Sequence, residues 1–184
     1  MRYGSHEFKY AQPFAEELAA DPAFRSWVLQ RTKFAKFADG SRVLSEEMQK
    51  RRSGGSANWW RSHYTEKCKC EGCTGQETDI LAIFECANGE RFALHFEVKQ
   101  PSDNFPTDRD QAANYRYRAE CWVKRAPRAV LPHADAQTAL VCSAQKLRTY
   151  ALHIPKFDAR FTFEEIAHSF PRATWLPASA HVLN

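Results

Sequence analysis

Two strand-like runs joined by a short turn constrain the fold of this chain more than any other feature. Residues 78–85 (TDILAIFE) and 91–99 (RFALHFEVK) flank Ala87-Asn88-Gly89. Asn-Gly between two apolar runs is a strong β-hairpin signal. In the second run, apolar residues occupy every other position, as in a strand with one buried face. The sequence therefore predicts an antiparallel hairpin in the middle of the chain.

The pairing register of this hairpin follows from its side chains. A two-residue loop would pair Asp79 with Val98, which mixes polar and apolar side chains on each face. A three-residue loop closed by a left-handed glycine pairs Phe84 with Phe92 and Asp79 with Glu97. The second register separates an apolar face from a polar one, so we predict the three-residue loop.

Helical patterns surround the hairpin. Pro13 is interpreted as the start of a first short helix, and Asp21-Pro22 as the N-cap and first residue of a second. Residues 110–124 predict a helix, residues 138–142 a buried strand, and Thr162 with Glu165 a capping box that opens a last helix. This order predicts a mixed α/β fold. The length of 184 residues predicts a single domain, 1–184.

Two carboxylates and a lysine meet on the polar face of the predicted hairpin. Glu97 and Lys99 are two residues apart on one strand and share a face, and the favoured register puts Asp79 opposite Glu97. Two adjacent carboxylates repel each other, and a divalent cation removes that conflict. Mg²⁺ binds one or two carboxylates together with phosphate oxygens, so the trio predicts a Mg²⁺ or Mn²⁺ site suited to phosphodiester hydrolysis. The alternative is an ordinary solvated sheet surface.

An Asp at the start of one strand, followed by Glu-x-Lys at the end of the next, resembles the PD-(D/E)xK nuclease superfamily. Thr78 occupies the place of the family's usual proline, and Gln111-xxx-Tyr115 matches a pattern of several nuclease branches. The resemblance implies a restriction-endonuclease-like mixed sheet (helix, antiparallel strand meander, helix, strand) flanked by helices. It also implies that Asp79, Glu97, Lys99, Gln111 and Tyr115 form the catalytic site. An early helix of the family often supplies another metal ligand, for which Glu47 is the preferred candidate among Glu16, Glu17, Glu46 and Glu47.

Three cysteines, Cys68, Cys70 and Cys73, lie within six residues just before the hairpin. Such spacing is typical of a tetrahedral Zn²⁺ site with a structural role. His63 is the first candidate for the fourth ligand, and Glu77, Cys86, Cys121 and Cys142 are alternatives. The segment 63–76 is therefore interpreted as a zinc-knuckle insertion. Three free surface thiols are the competing interpretation.

The charge of the chain is compatible with a nucleic-acid partner. The formal net charge is +4, and the sequence pI is about 8.8. Basic segments on both sides of the hairpin offer candidate phosphate contacts at Arg52, Arg61, Arg116 and Arg118. No apolar run reaches the roughly 18 residues of a membrane span, and the first residues lack a secretory pattern, so we expect a cytoplasmic location.

The sequence thus predicts a metal-dependent nuclease acting on nucleic acid, with DNA favoured over RNA. One alternative is a nucleic-acid-binding module on the same fold with weak or no catalysis. Another is a zinc-stabilised interaction protein with no nucleic-acid role. The oligomeric state does not follow from the sequence.

Overall fold

A five-stranded mixed sheet organises the chain. The computed structural model describes residues 5–52, 58–61, 63, 68–70, 72–74 and 76–175. The strands, in chain order, are β1 (Arg42–Val43), β2 (Ile80–Glu85), β3 (Arg91–Lys99), β4 (Asp135–Cys142) and β5 (Ala159–Thr162). They lie side by side in the order 1-2-3-4-5. The pairs β1–β2 and β2–β3 are antiparallel, whereas the pairs β3–β4 and β4–β5 are parallel.

In the described residues the sheet is accompanied by six α-helices: α1 (Ser5–Ala20), α2 (Pro22–Leu29), α3 (Ser45–Arg51), α4 (Gln111–Lys124), α5 (Lys146–Thr149) and α6 (Phe163–Ser169). Three 3₁₀ turns span Ala35–Phe37, Ile154–Lys156 and Pro171–Ala173. The parallel pair β3–β4 requires a crossover connection, and α4 provides it. The predicted α/β class is confirmed. Within the described part of the chain, no helix is long and apolar enough to cross a membrane.

The predicted hairpin register is confirmed. Ile80 pairs with Phe96, Phe84 with Phe92, and the last pair before the turn is Glu85 with Arg91. The N–H of Gly89 donates to the Cys86 carbonyl at 2.9 Å, and Gly89 has a φ of +81°. A side chain is strained at that φ, which is why glycine closes the three-residue loop.

The sheet is covered on both faces. One face of β2 and β3 (Ile80, Ala82, Phe84, Phe92, Leu94, Phe96 and Val98) packs in one apolar cluster with residues of α1, α2 and α6. The opposite face (Leu81, Ile83, Ala93) packs against Trp122 of α4. Asp79, Glu97 and Lys99 have the parity of this second face, because side chains alternate along a strand. The polar trio therefore lies on the α4 side of the sheet.

The helix starts were predicted well, with one error. The side chains of Asp21 and Asp110 cap α2 and α4, and Thr162 forms the predicted capping box with Glu165. The interpretation of Pro13 as a helix start was wrong, because α1 begins at Ser5 and continues through Pro13. Proline removes one helical hydrogen bond. The apolar residues of α1 that are buried against the sheet offset this loss.

Candidate active site and thiol cluster

The end of β3 and the residue before β2 bring the predicted acidic site together. Ile80 opposite Phe96 is the last pair of the ladder, Asp79 immediately precedes Ile80, and Glu97 immediately follows Phe96. Asp79 is 7% exposed, Glu97 0% and Lys99 6%. Buried charged groups need partners, so the hydrogen bonds of each indicate what it can do.

Asp79 is fixed by backbone and side-chain hydrogen bonds. Its Oδ2 accepts the N–H of Val98 at 2.8 Å, which ties the carboxylate to β3. Its own N–H donates to the hydroxyl of Tyr115 at 3.1 Å, which ties the backbone to α4. Tyr115 is fully buried beneath the sheet. Tyr115 is therefore a positioning residue for Asp79.

Glu97 is a buried carboxylate with few partners. Lys99 Nζ lies 2.6 Å from Glu97 Oε1 and donates to Gln111 Oε1 at 3.2 Å. The Tyr115 hydroxyl also interacts with this carboxylate, yet among the described residues neither Glu97 oxygen meets the geometry of a well-formed hydrogen bond. A buried carboxylate held this loosely is costly, and a bound cation would lower that cost.

The charges at this end of the sheet shift one another's pKa values. Burial, and then the negative charge of Glu97, raises the pKa of Asp79 well above its ordinary value. Burial opposes the charge of Lys99, yet Glu97 and Asp79 outweigh it and raise the pKa of its ammonium. Lys99 consequently remains a cation in the metal-free protein, and the two carboxylates compete for one positive charge.

Glu7, on the first turns of α1, is a further carboxylate that the sequence interpretation missed. Burial raises its pKa to about 7, and the charges of Asp103, Glu97 and Lys99 also act on it. Glu7 therefore belongs to the electrostatic environment of the acidic site. The signal was present in the sequence: Glu7 continues the helical stripe of Tyr10, Phe14 and Leu18, which is the buried face of α1.

Glu47 is not part of this site, and its selection as a metal ligand was wrong. Its carboxylate accepts from Arg42 Nη1 at 2.9 Å, and Arg42 Nη2 also bonds Glu85. Glu85 ends β2 beside the turn, six residues from Asp79. At about 3.3 Å per strand residue, the two ends lie roughly 20 Å apart.

The cysteines converge as a group of four. Sγ atoms of Cys68, Cys70, Cys73 and Cys121 all lie within 4.8 Å of one another. The Cys68 sulfur is 3.3 Å from that of Cys70 and 3.6 Å from that of Cys121. A tetrahedral zinc with bonds of about 2.3 Å separates its sulfur ligands by about 3.8 Å. The four thiols can thus hold a metal ion such as zinc.

His63 does not join the thiol cluster, so its selection as fourth ligand was wrong. Its ring Nε2 lies 2.7 Å from the Trp59 carbonyl and 3.0 Å from Arg52 Nη1. Its backbone forms a bridge with Thr78. Cys121, one of the alternatives, takes the fourth place. Residues 64–67, 71 and 75 of the predicted knuckle lie outside the described residues.

The four arginines that were predicted to contact nucleic acid differ in their exposure and in their hydrogen bonds. Arg118 is 0% exposed, and its guanidinium donates to Thr78 and Gly72, so the prediction that it contacts nucleic acid was wrong. Arg52 Nη1 donates to the carbonyls of residues 58, 59 and 61, which is a structural use. Arg61 is half-buried over the Phe8 ring. Arg116 is exposed and pairs with Asp158, so it stays available at the surface.

Comparisons of the chain with protein-family models, with curated proteins and with solved structures give no match.

Proposed function

We propose that this protein is a metal-dependent nuclease that hydrolyses phosphodiester bonds of nucleic acid, DNA in preference to RNA. One observation carries the proposal: Asp79 and Glu97 are both buried at the same end of the sheet, and both act on the ammonium of Lys99, which lies 2.6 Å from Glu97 Oε1. Two buried carboxylates beside one ammonium leave negative charge uncompensated, and a divalent cation would neutralise it.

The residues present fit a hard divalent cation. Asp79 and Glu97 are buried carboxylates at the same end of the sheet, so the ligands that they would offer are carboxylate oxygens. Mg²⁺ and Mn²⁺ prefer such ligands and retain room for phosphate oxygens. When bound, the ion would supply the positive charge that a phosphodiester and its attacking water need.

The side chains of the protein would then bind the phosphate and position the metal ligands. Lys99, held by Gln111 at 3.2 Å, would present its ammonium to a non-bridging phosphate oxygen. Gln111 would aim that ammonium, and Tyr115 would hold the backbone of Asp79 in place. Glu7 would add negative charge beside the cation.

The arrangement of the chain supports the same proposal. An N-terminal helix precedes antiparallel strands, a crossover helix and a parallel strand. This is the order that the PD-(D/E)xK resemblance implies, and the Asp, Glu-x-Lys and Gln-xxx-Tyr residues all face α4 or belong to it. We accordingly propose a restriction-endonuclease-like fold, with Arg116 and Arg61 among the contacts to the nucleic-acid backbone.

For the thiol cluster we propose zinc with a structural role. Four thiolates complete a tetrahedral shell, which leaves no open position for substrate. The two sites also differ in the metal that they would bind, because thiolates favour zinc and carboxylates favour magnesium or manganese.

Cleavage of labelled single- and double-stranded DNA and RNA, with Mg²⁺ or Mn²⁺, tests the proposal. We expect metal-dependent cleavage by the wild type and its loss in Asp79→Ala and Lys99→Ala. Glu85→Gln is the matched control, because Glu85 is a carboxylate at the other end of the same hairpin, paired with Arg91. Binding without cleavage in either metal would favour the non-catalytic module, and neither binding nor cleavage would favour the interaction protein.

A further inference from the structure

The thiol cluster joins two parts of the chain that also build the acidic site. Cys68, Cys70 and Cys73 belong to the segment that leads into Asp79, whereas Cys121 lies in α4. The same helix carries Tyr115, which bonds the Asp79 backbone. A metal ion held by all four sulfurs would therefore fix the distance between the segment before β2 and α4.

The packing between these two parts leaves no spare room. A Cβ added at Gly72 would lie 2.6 Å from Tyr117 Cβ, 2.7 Å from the Arg118 nitrogen and 2.7 Å from the Asn114 carbonyl oxygen. Real Cβ atoms do not approach backbone this closely, so only glycine fits here. The cysteine segment thus lies directly on the α4 backbone, one residue before Cys73.

A buried arginine connects the cluster to the acidic site. Arg118 lies three residues before Cys121 and is fully buried. Its Nη1 donates to the Gly72 carbonyl at 3.1 Å, and its Nε donates to Thr78 Oγ1 at 2.9 Å. Thr78 immediately precedes Asp79. One guanidinium thus holds both the cysteine segment and the residue next to the candidate metal ligand.

We propose that a zinc ion bound by Cys68, Cys70, Cys73 and Cys121 positions Asp79, so that zinc loading controls the acidic site without touching it. The zinc ion would act on Asp79 through Gly72, Arg118 and Thr78, which form a continuous set of contacts from the cluster to the residue before Asp79. The link to catalysis rests on the proposed nuclease function, whereas the zinc site and its effect on Asp79 do not.

The first measurement is the metal content of protein purified under reducing conditions. We expect one zinc per chain in the wild type and less than about a tenth of that in Cys121→Ser. Cys86→Ser is the matched control, because Cys86 is a buried cysteine outside the cluster, and it should retain full zinc. Wild type that binds no zinc even after zinc is added, or that holds iron with visible absorption, overturns the assignment.

The second measurement is hydrogen exchange at the amides of Thr78 and Asp79, which needs no activity. Both N–H groups are hydrogen-bonded, to the His63 carbonyl and the Tyr115 hydroxyl. We expect exchange at least tenfold faster in Gly72→Ala and in Cys121→Ser, with β4 still protected. Unchanged exchange at these two amides in zinc-free protein would overturn the positioning role. If Cys121→Ser does not fold, wild type stripped of zinc by a thiol-compatible chelator and desalted gives the same readout.

The third measurement is the Mn²⁺ concentration that gives half-maximal cleavage. Gly72→Ala should displace Asp79 and thereby raise this Mn²⁺ concentration at least tenfold. The KM for DNA should change little. An unchanged Mn²⁺ requirement in a variant with altered exchange would overturn control of the site by zinc. If the wild type does not cleave while zinc content and exchange change as expected, the nuclease proposal fails and the positioning of Asp79 by zinc stands.

Discussion

Replacing His63 by glutamine will weaken the pH dependence of folding stability. His63 is buried, and its ring contacts the Trp59 carbonyl and Arg52. Burial, followed by the charge of Arg52, lowers its pKa from the ordinary 6.5 to about 3. The folded state must therefore keep this ring neutral at pH values where the unfolded chain protonates it.

The sign and size of the effect follow from this pKa. A depressed pKa in the folded state means that stability is greatest above pH 6.5 and falls as the pH decreases toward 3. For one histidine, each unit by which the pH decreases inside that window lowers the unfolding free energy by about 1.4 kcal/mol. Between pH 7 and pH 5 the wild type should lose about 2 kcal/mol of unfolding free energy that His63→Gln does not lose.

Urea denaturation followed by tryptophan fluorescence at pH 7 and pH 5 measures this difference. His168→Gln is the control, because it makes the same substitution at an exposed position on α6, away from the buried ring of His63. Zinc content should stay at the wild-type level in His63→Gln, since the fourth thiol belongs to Cys121. An equal loss of stability in wild type and His63→Gln would refute the buried neutral histidine.

Further predictions concern the core, a helix cap, the added carboxylate and the surface. Phe96→Ala removes a ring packed 5.0 Å from Phe14 and should lower the unfolding free energy by about 3–5 kcal/mol in urea titrations, whereas a loss below about 1 kcal/mol would contradict the packing. Thr162→Ala removes the capping box of α6 and should cost about 1 kcal/mol in the same assay, so a neutral result would contradict it. Glu7→Gln should raise the Mn²⁺ concentration needed for half-maximal cleavage without lowering the Tm, and an unchanged requirement would exclude Glu7 from the site. Arg116→Ala should lower the slope of DNA affinity against salt concentration by about one phosphate contact, and an unchanged slope would exclude Arg116 from the nucleic-acid contacts.

The hairpin was predictable because two local signals agree. Alternating apolar residues fix which face is buried, and Asn88-Gly89 fixes the length of the turn. Together they place Asp79 opposite Glu97 without any knowledge of the other strands. The short strands β1 and β5 have two and four residues, too few for a periodic pattern, and depend on pairing with longer neighbours.

The parts of the two sites that were missed depend on contacts distant in sequence. Cys121 lies 48 residues after Cys73 and reaches the cluster only because α4 packs on the cysteine segment. In the sequence, Arg118 resembles the other basic residues of α4, which suggests an exposed position. In the structure it is buried, and it donates hydrogen bonds to Thr78 and Gly72. Glu7 was overlooked because Pro13 was taken as a helix start, which excluded the preceding turns of α1.

Cleavage measured across a Mn²⁺ titration, for wild type and Glu97→Gln, tests the central claim most directly. Glu97 is buried and paired with Lys99, and the substitution keeps the shape of the side chain and removes its charge. We predict a wild-type rate that rises with Mn²⁺ and saturates, and no cleavage by Glu97→Gln at any concentration, with Glu85→Gln indistinguishable from wild type. Equal rates in wild type and Glu97→Gln, or no cleavage by correctly folded wild type, would contradict a catalytic metal site at the end of β3.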